Sequence, residues 1–219
     1  MSNLIGKNKW YILGSIGLVG VGVAVAFLFS GFRKIKNRNP KKLLFVGDSI
    51  TTGQSAYPSI IQSQRSDLTI DKVSSVGKQT SWMLDNLKNQ LSSNKYDRVY
   101  IYGGINDAFS SVPVSTSLAN IQEMVDLINQ NGADAFVIQG YVIDGFMDYL
   151  KMPITQYVAT KEDYIPLIEK YKQLQGSIPS VIKNANILKP INLGDKTQDG
   201  IHPNQEGQQI IANQILKTL

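Results

Sequence analysis

Two hydrophobic regimes divide the chain. Residues 10–32, from Trp10 to Phe32, run without a charge and are rich in Val, Ile, Leu, Phe and Gly. From Lys42 onward, short apolar runs alternate with amphipathic stretches. The apolar runs predict strands over Leu43–Val46, Leu68–Ser74, Arg98–Tyr102, Ala135–Gln139 and Asn186–Ile191. The amphipathic stretches predict helices over Pro58–Arg65, Ser81–Leu91, Ser115–Asn129, Tyr164–Leu174 and Gln205–Leu219. In the third of these, Leu118, Ile121, Val125 and Ile128 recur at helical spacing, and Gly132 follows as a stop. Repeated strand-then-helix alternation predicts an α/β fold: a five-stranded parallel sheet covered on both faces, with right-handed crossovers. Ligands of such sheets bind beyond the carboxyl ends of the strands. The stretch Asp144–Asp163 has weak periodicity and predicts a loop or lid near that edge.

The uncharged run has the length of a membrane span, with Trp10 and Tyr11 at one border, where aromatic side chains favour the bilayer interface. A cleaved signal peptide is the competing reading, because Ala24-Val25-Ala26 has the small-x-small form of a cleavage site. The apolar run continues through Phe27-Leu28-Phe29, which favours an uncleaved anchor. The expected organisation is a short tail at 1–9, a transmembrane helix at 10–32, a basic tether at 33–41 and a globular domain at 42–219. This makes the protein single-pass and membrane-bound through residues 10–32. Basic residues after the span outnumber those before it, which favours a cytoplasmic tether. The side of the membrane that holds the domain stays open.

Charge supports this division. The formal net charge of +5 comes from the first 42 residues, which hold eight basic side chains and no acidic one. The rest is mildly acidic. A nucleic-acid-binding domain would carry a basic face of its own, so no nucleic acid is expected as a partner. The chain has no cysteine, which excludes disulfides and thiolate chemistry, and a single histidine, His202, which leaves no pair of imidazoles for a metal. Neither a cofactor nor a metal is expected. Any imidazole base chemistry falls on His202.

Four polar motifs sit at strand ends or in the last loop. Gly47-Asp48-Ser49 follows the first strand, Ser75-Val76-Gly77 the second and Gly103-Gly104-Ile105-Asn106-Asp107 the third. Asp199-Gly200-Ile201-His202-Pro203 precedes the final helix. A parallel sheet gathers all four at one edge. A serine hydroxyl needs a neighbouring base to take its proton, and His202 can be that base for Ser49. Asp199 can orient the imidazole and stabilise its charged form. The backbone N–H groups of Ser49 and Gly77 and the Asn106 amide can hold an oxyanion. Singly, each residue has a plainer role: Ser49 as a helix cap, Gly77 as a turn, Asn106 as a loop amide. Asp48 and Asp107 suit loop hydrogen bonds better than chemistry.

In this order the motifs resemble the four blocks of the SGNH/GDSL hydrolases, over about residues 42–219. The second block departs from the common pattern, with Ser75 where family members often carry Asn. The resemblance implies a flavodoxin-like three-layer sandwich and ester hydrolysis through an acyl-serine. It also implies a catalytic triad of Ser49, Asp199 and His202 and an oxyanion hole of Ser49, Gly77 and Asn106. The implied substrates are O-acetylated glycans, short acyl esters or lysophospholipids. Two other readings are an O-acyltransferase using the same residues and a non-catalytic membrane-anchored binding or structural protein on the same scaffold.

Overall fold

The computed structural model of the protein describes residues 35, 36, 38–140 and 161–219, with residues 161–164 as backbone alone. The expected span at 10–32 lies outside the described residues, as does most of Asp144–Asp163. Among the described residues no helix is long and apolar enough to cross a membrane.

The strands are β1 (Lys42–Gly47), β2 (Thr69–Ser74), β3 (Arg98–Tyr102), β4 (Asp134–Ile138) and β5 (Asn186–Leu188). The helices are α1 (Tyr57–Gln64), α2 (Thr80–Ser93), α3 (Ile105–Phe109), α4 (Val114–Asn131), α5 (Lys161–Val181) and α6 (Gln205–Leu216). All strand pairs are parallel, in the order β2-β1-β3-β4-β5. This is the flavodoxin-like order, in which the chain moves outward from β1 in both directions. The crevice where that direction reverses lies between β1 and β3.

Side-chain alternation on the central strands explains the layers. Leu43 and Phe45 of β1, Tyr100 and Tyr102 of β3, and Phe136 and Ile138 of β4 fill one face. That face packs against Tyr57 and Ile61 of α1 and Ile211 and Ile215 of α6. Leu44, Val46, Val99, Ile101, Ala135 and Val137 fill the other, against Met83 and Leu87 of α2 and Met124 and Ile128 of α4. Because both faces are covered, β1, β3 and β4 consist almost wholly of buried residues. The first face is aromatic. Phe45 stacks on Tyr100 at 5.0 Å between ring centroids, Tyr100 stacks on Phe136 at 4.8 Å, and Tyr57 meets Phe45 edge-on at 5.5 Å.

Three elements differ from the sequence expectation. β5 ends at Leu188 rather than Ile191, since Pro190 has no N–H to give a ladder. Ile191 and Leu193 are instead buried in the aromatic-side core and hold down the chain that leads back toward the site. α5 begins at Lys161, inside the stretch expected as loop, and runs to Val181 through Gly176 and Pro179. Its burial of Tyr171, Leu174 and Ile178 at helical spacing outweighs those poor helix formers. The one-turn helix α3 falls between predicted elements, and it is too short to leave a periodic signal.

Lys36, Lys41 and Lys42 are tied by their backbone to the foot of the sheet. The Lys36 N–H donates to the Asp134 carboxylate at 2.9 Å, and the Lys41 and Lys42 N–H groups both donate to Asp97. The compact unit that holds the sheet accordingly runs from Ile35 to Leu219.

Phe136 is 2% exposed and ends the aromatic stack. Phe136→Ala is expected to lower unfolding stability by about 3–5 kcal/mol, measured by urea denaturation. A small loss would show that the stack repacks around the cavity.

Candidate active site

The register of β1 decides which loops become neighbours. Gly47 pairs with Ser74 of β2 and with Tyr102 of β3. The segments starting at Asp48, Ser75 and Gly103 therefore leave the sheet side by side at the switch point. Gly47 admits no side chain: a Cβ there would stand 2.0 Å from Thr51 Oγ1 and 2.8 Å from the Tyr102 carbonyl oxygen. Thr51 cannot easily give way, because its hydroxyl is paired with Tyr57 Oη at 3.0 Å in the interior.

Beyond Gly47 the chain turns at once. The Asp48 carbonyl accepts from the N–H groups of Thr51 and Thr52, both at 3.1 Å, and from the Thr52 hydroxyl at 2.8 Å. Ser49 sits in this turn. It does not cap a helix, since α1 starts only at Tyr57, with Ala56 at the cap position. Its Oγ lies 2.9 Å from His202 Nε2. The other imidazole nitrogen, Nδ1, lies 2.7 Å from Asp199 Oδ2. The second carboxylate oxygen of Asp199 accepts from the N–H groups of Ile201 at 2.9 Å and His202 at 2.6 Å. The loop thus turns back on itself, as the three-residue spacing requires, and one carboxylate fixes both the backbone and the ring.

Two residues brace this arrangement, one at the cap of α6 and one within it, both absent from the sequence expectations. Asn204 caps α6 by accepting from the Gly207 N–H at 3.0 Å. Gln208, unforeseen, accepts from the Tyr57 N–H at 2.9 Å and donates to the Ile50 carbonyl at 3.1 Å. It therefore locks the serine turn to the helix that follows His202. Its signal in the sequence is a polar residue on the apolar stripe formed by Ile211, Ala212 and Ile215. A buried glutamine there needs partners.

Ser49, Gly77, Asn106 and His202 line one cavity of about 210 Å³, whose other walls include Val76, Ile105, Phe109 and Ile201. Gly77 has φ +72°, the left-handed region that favours glycine, and the space around its Cα is open. Among the described residues neither the Ser49 nor the Gly77 backbone N–H has an acceptor in the protein. The Asn106 amide lies 3.3 Å from Asp48 Oδ2 and 3.2 Å from the Lys78 carbonyl. Such long contacts yield readily to a full oxyanion. Asp107 faces away and accepts from the Thr80 N–H at 2.9 Å and the Ser117 hydroxyl at 3.0 Å, so it ties α3 to α2 and α4.

The carboxylates of the site have opposite electrostatics. Burial raises the Asp48 carboxyl to about 6, against the opposing effects of the Ile50 N–H and of His202. Burial would also raise Asp199, but hydrogen bonds from the His202 ring and from two backbone N–H groups outweigh it and hold the carboxyl at about 2. The Asp199 hydrogen bond in turn raises His202 above the ordinary imidazole range, with burial opposing. Asp199 is thus ionised wherever His202 titrates. The arrangement can pull a proton from Ser49 while Asp199 carries the imidazolium.

Comparison with known proteins agrees with this architecture. The model of the GDSL-like lipase/acylhydrolase family matches residues 45–210. An arylesterase of Vibrio mimicus is 27% identical over 188 residues, which cover 82% of this chain and 88% of that protein. Among solved structures, the psychrotrophic esterase EstA from Pseudoalteromonas sp., inhibited by monoethylphosphonate, superposes with a TM-score of 0.57. It is 16% identical, over 81% of this chain and 96% of that one. The acetyl xylan esterase AlAXEase superposes with a TM-score of 0.61 at 14% identity, over 81% of this chain and 99% of that one.

The single imidazole makes the electrostatics directly measurable. By proton NMR, the His202 Hε1 resonance is expected to titrate above the ordinary midpoint of about 6.5. Asp199→Asn is expected to bring the midpoint down. The stability sign follows. The raised His202 stabilises the fold below its unfolded value and loses that effect as pH rises through its folded value. The depressed Asp199 stabilises above its unfolded value and loses that effect as pH falls toward about 2. Asp199→Asn should therefore cost more stability near pH 5.5 than near pH 9, by urea titration at the two pH values. Equal costs would contradict the ion pair.

Proposed function

The chain belongs to the GDSL-like lipase/acylhydrolase family and is a serine ester hydrolase; on that premise we propose that it works through an acyl-enzyme on Ser49, with His202 as base and Asp199 as its partner. The observation that carries the reading is the continuous relay from Ser49 Oγ to His202 Nε2 at 2.9 Å and from His202 Nδ1 to Asp199 at 2.7 Å.

Attack by Ser49 Oγ on the ester carbonyl moves the hydroxyl proton to His202 Nε2 and forms a tetrahedral oxyanion. The Ser49 and Gly77 N–H groups and the Asn106 amide stabilise it. When it collapses, the carbon–oxygen bond to the alcohol breaks and His202 returns its proton to the departing oxygen. Water then enters by the same route: His202 takes its proton, the hydroxide oxygen bonds the acyl carbon, and Ser49 leaves with the proton. Asp199 holds the ring in one tautomer throughout and balances the imidazolium charge.

The acyl group belongs in the cavity bounded by Val76, Ile105, Phe109 and Ile201, whose walls match an apolar chain. Its volume of about 210 Å³ is below that of pockets that take whole ligands, about 300–1,000 Å³, which favours a short acyl group. Residues 10–32 are proposed to hold this domain at a membrane, on the strength of their uncharged apolar run. The arylesterase likeness supports ester chemistry of this kind.

The test is a fluorophosphonate label together with 4-nitrophenyl acetate hydrolysis by the full chain in detergent micelles. Ser49→Ala is expected to abolish labelling and to lower kcat by roughly a thousandfold or more. Activity that survives this change would sink the assignment. The acid limb of kcat/KM should have its midpoint above the ordinary imidazole value of about 6.5, since the base must be neutral and Asp199 raises it. A rate flat from about pH 5 to 8, with chemistry limiting, would remove His202 from the role.

A further inference from the structure

Ser49 and His202 separate two cavities of different chemistry. The first is the apolar one assigned to the acyl group. The second, about 490 Å³, opens on the opposite side, between the turn before α1 and the start of α6. This volume lies within the range of pockets that take whole ligands. A substrate bound to Ser49 must direct its acyl chain to one side and its alcohol to the other. Apolar walls claim the acyl chain, so the second cleft receives the alcohol, and its lining reports what that alcohol is.

Apart from Ile50, Ala56 and Pro203, the described lining is polar. Gln54, Ser55, Gln198, Asn204 and Gln205 present carboxamides and a hydroxyl, and among the described residues that line the cleft His202 alone is ionisable and none carries a benzene or indole ring. Among the described residues, the side chains of Gln54, Ser55 and Gln205 make no hydrogen bond within the protein. The carboxamide of Gln208 is already spent on Tyr57 and Ile50, and it forms the floor. Of the charges nearby, Lys196 pairs with Asp195 and Glu206, and Lys72, which is not in the lining, is held by the carbonyl of the lining residue Gly53. Carboxamides carry donors and acceptors together, which is the pattern that vicinal hydroxyls of a neutral sugar present in return. A phosphate-bearing alcohol would need cations, and an aromatic alcohol a ring or apolar wall. Among the described residues the lining holds no cation, and its apolar part is confined to Ile50, Ala56 and Pro203, of which Ile50 and Ala56 are almost wholly buried.

We infer that the alcohol portion of the substrate is a neutral polyhydroxylated group, so that the protein removes a short acyl group from an uncharged carbohydrate. This rests on the acyl-serine reading above and adds the identity of the leaving group. The alcohol oxygen is the one that receives the proton from His202.

Three acetyl esters isolate the alcohol from the acyl group: a mono-O-acetylated neutral disaccharide, acetylcholine and 4-nitrophenyl acetate. With the full chain in micelles, kcat/KM for the disaccharide ester is expected to exceed that for acetylcholine by about tenfold or more, as two or three extra hydrogen bonds allow. The double change Gln54→Ala, Gln205→Ala should raise KM for the disaccharide ester about tenfold, and by a larger factor than KM for 4-nitrophenyl acetate. Fluorophosphonate labelling of wild type and variant reads the state of Ser49 separately. Normal labelling with acetylcholine turned over as well as the sugar ester would overturn this inference alone. So would a KM rise shared equally by all three esters. A wild-type chain that is folded but neither labelled nor active on any ester overturns the acyl-serine reading and this inference with it.

Discussion

Gly47 pairs with Ser74 on one side and Tyr102 on the other, and the site is built outward from that three-way register. A shift of one residue in β1 would exchange its two faces, placing Phe45 against α2 and Leu44 in the aromatic stack. The stack makes such a shift costly, because Phe45, Tyr100 and Phe136 come from three strands and fit only in this alignment. Burial energy in the core is thereby converted into position at the edge. Ser49, Gly77 and Asn106 meet because the strands beneath them cannot slide.

His202 arrives by a different route. It stands far along the chain, after an edge strand that is not a neighbour of β1. Its position is fixed by the loop hydrogen bonds of Asp199, by the buried Ile191 and Leu193, and by Gln208 joining α6 to the serine turn. The same Asp199 carboxylate that shapes the loop also polarises the ring. Asp48, by contrast, is fully buried with weaker compensation, and its carboxyl is pushed up while that of Asp199 is pulled down. Environment, not residue type, separates their roles: one carboxylate balances an imidazolium, and the other underpins a turn.

The two cavities give this constellation its direction. An ester has an apolar acyl side and an alcohol side, and the walls on either side of Ser49 differ in the same sense. Val76 comes from the loop after β2 and Phe109 from α3, whereas the carboxamides come from the segment before α1 and from the loop and first turn of α6. On the proposed assignment, acyl and alcohol preference are carried by separate pieces of chain, either of which can change while the relay stays fixed.

The alternation of apolar strands with amphipathic helices was enough to specify the layered parallel fold, because a strand's two-residue and a helix's 3.6-residue period are local properties. The residue types of Ser49, Asp199 and His202 were legible for a related reason: with no cysteine and one histidine in the chain, few chemistries remained. The uncharged run of residues 10–32 was legible too, although it lies outside the described residues. Other features are non-local, and only the tertiary structure decided them. The continuation of α5 through Gly176 and Pro179 depends on what Leu174 and Ile178 pack against. Gln208 matters only because Tyr57 and Ile50 come within its reach. The division of the site into an apolar and a carboxamide-lined cavity depends on side chains from several loops, whose meeting no single stretch of sequence encodes. Periodicity and chemistry are written along the chain; distances between remote residues follow only once the core has closed.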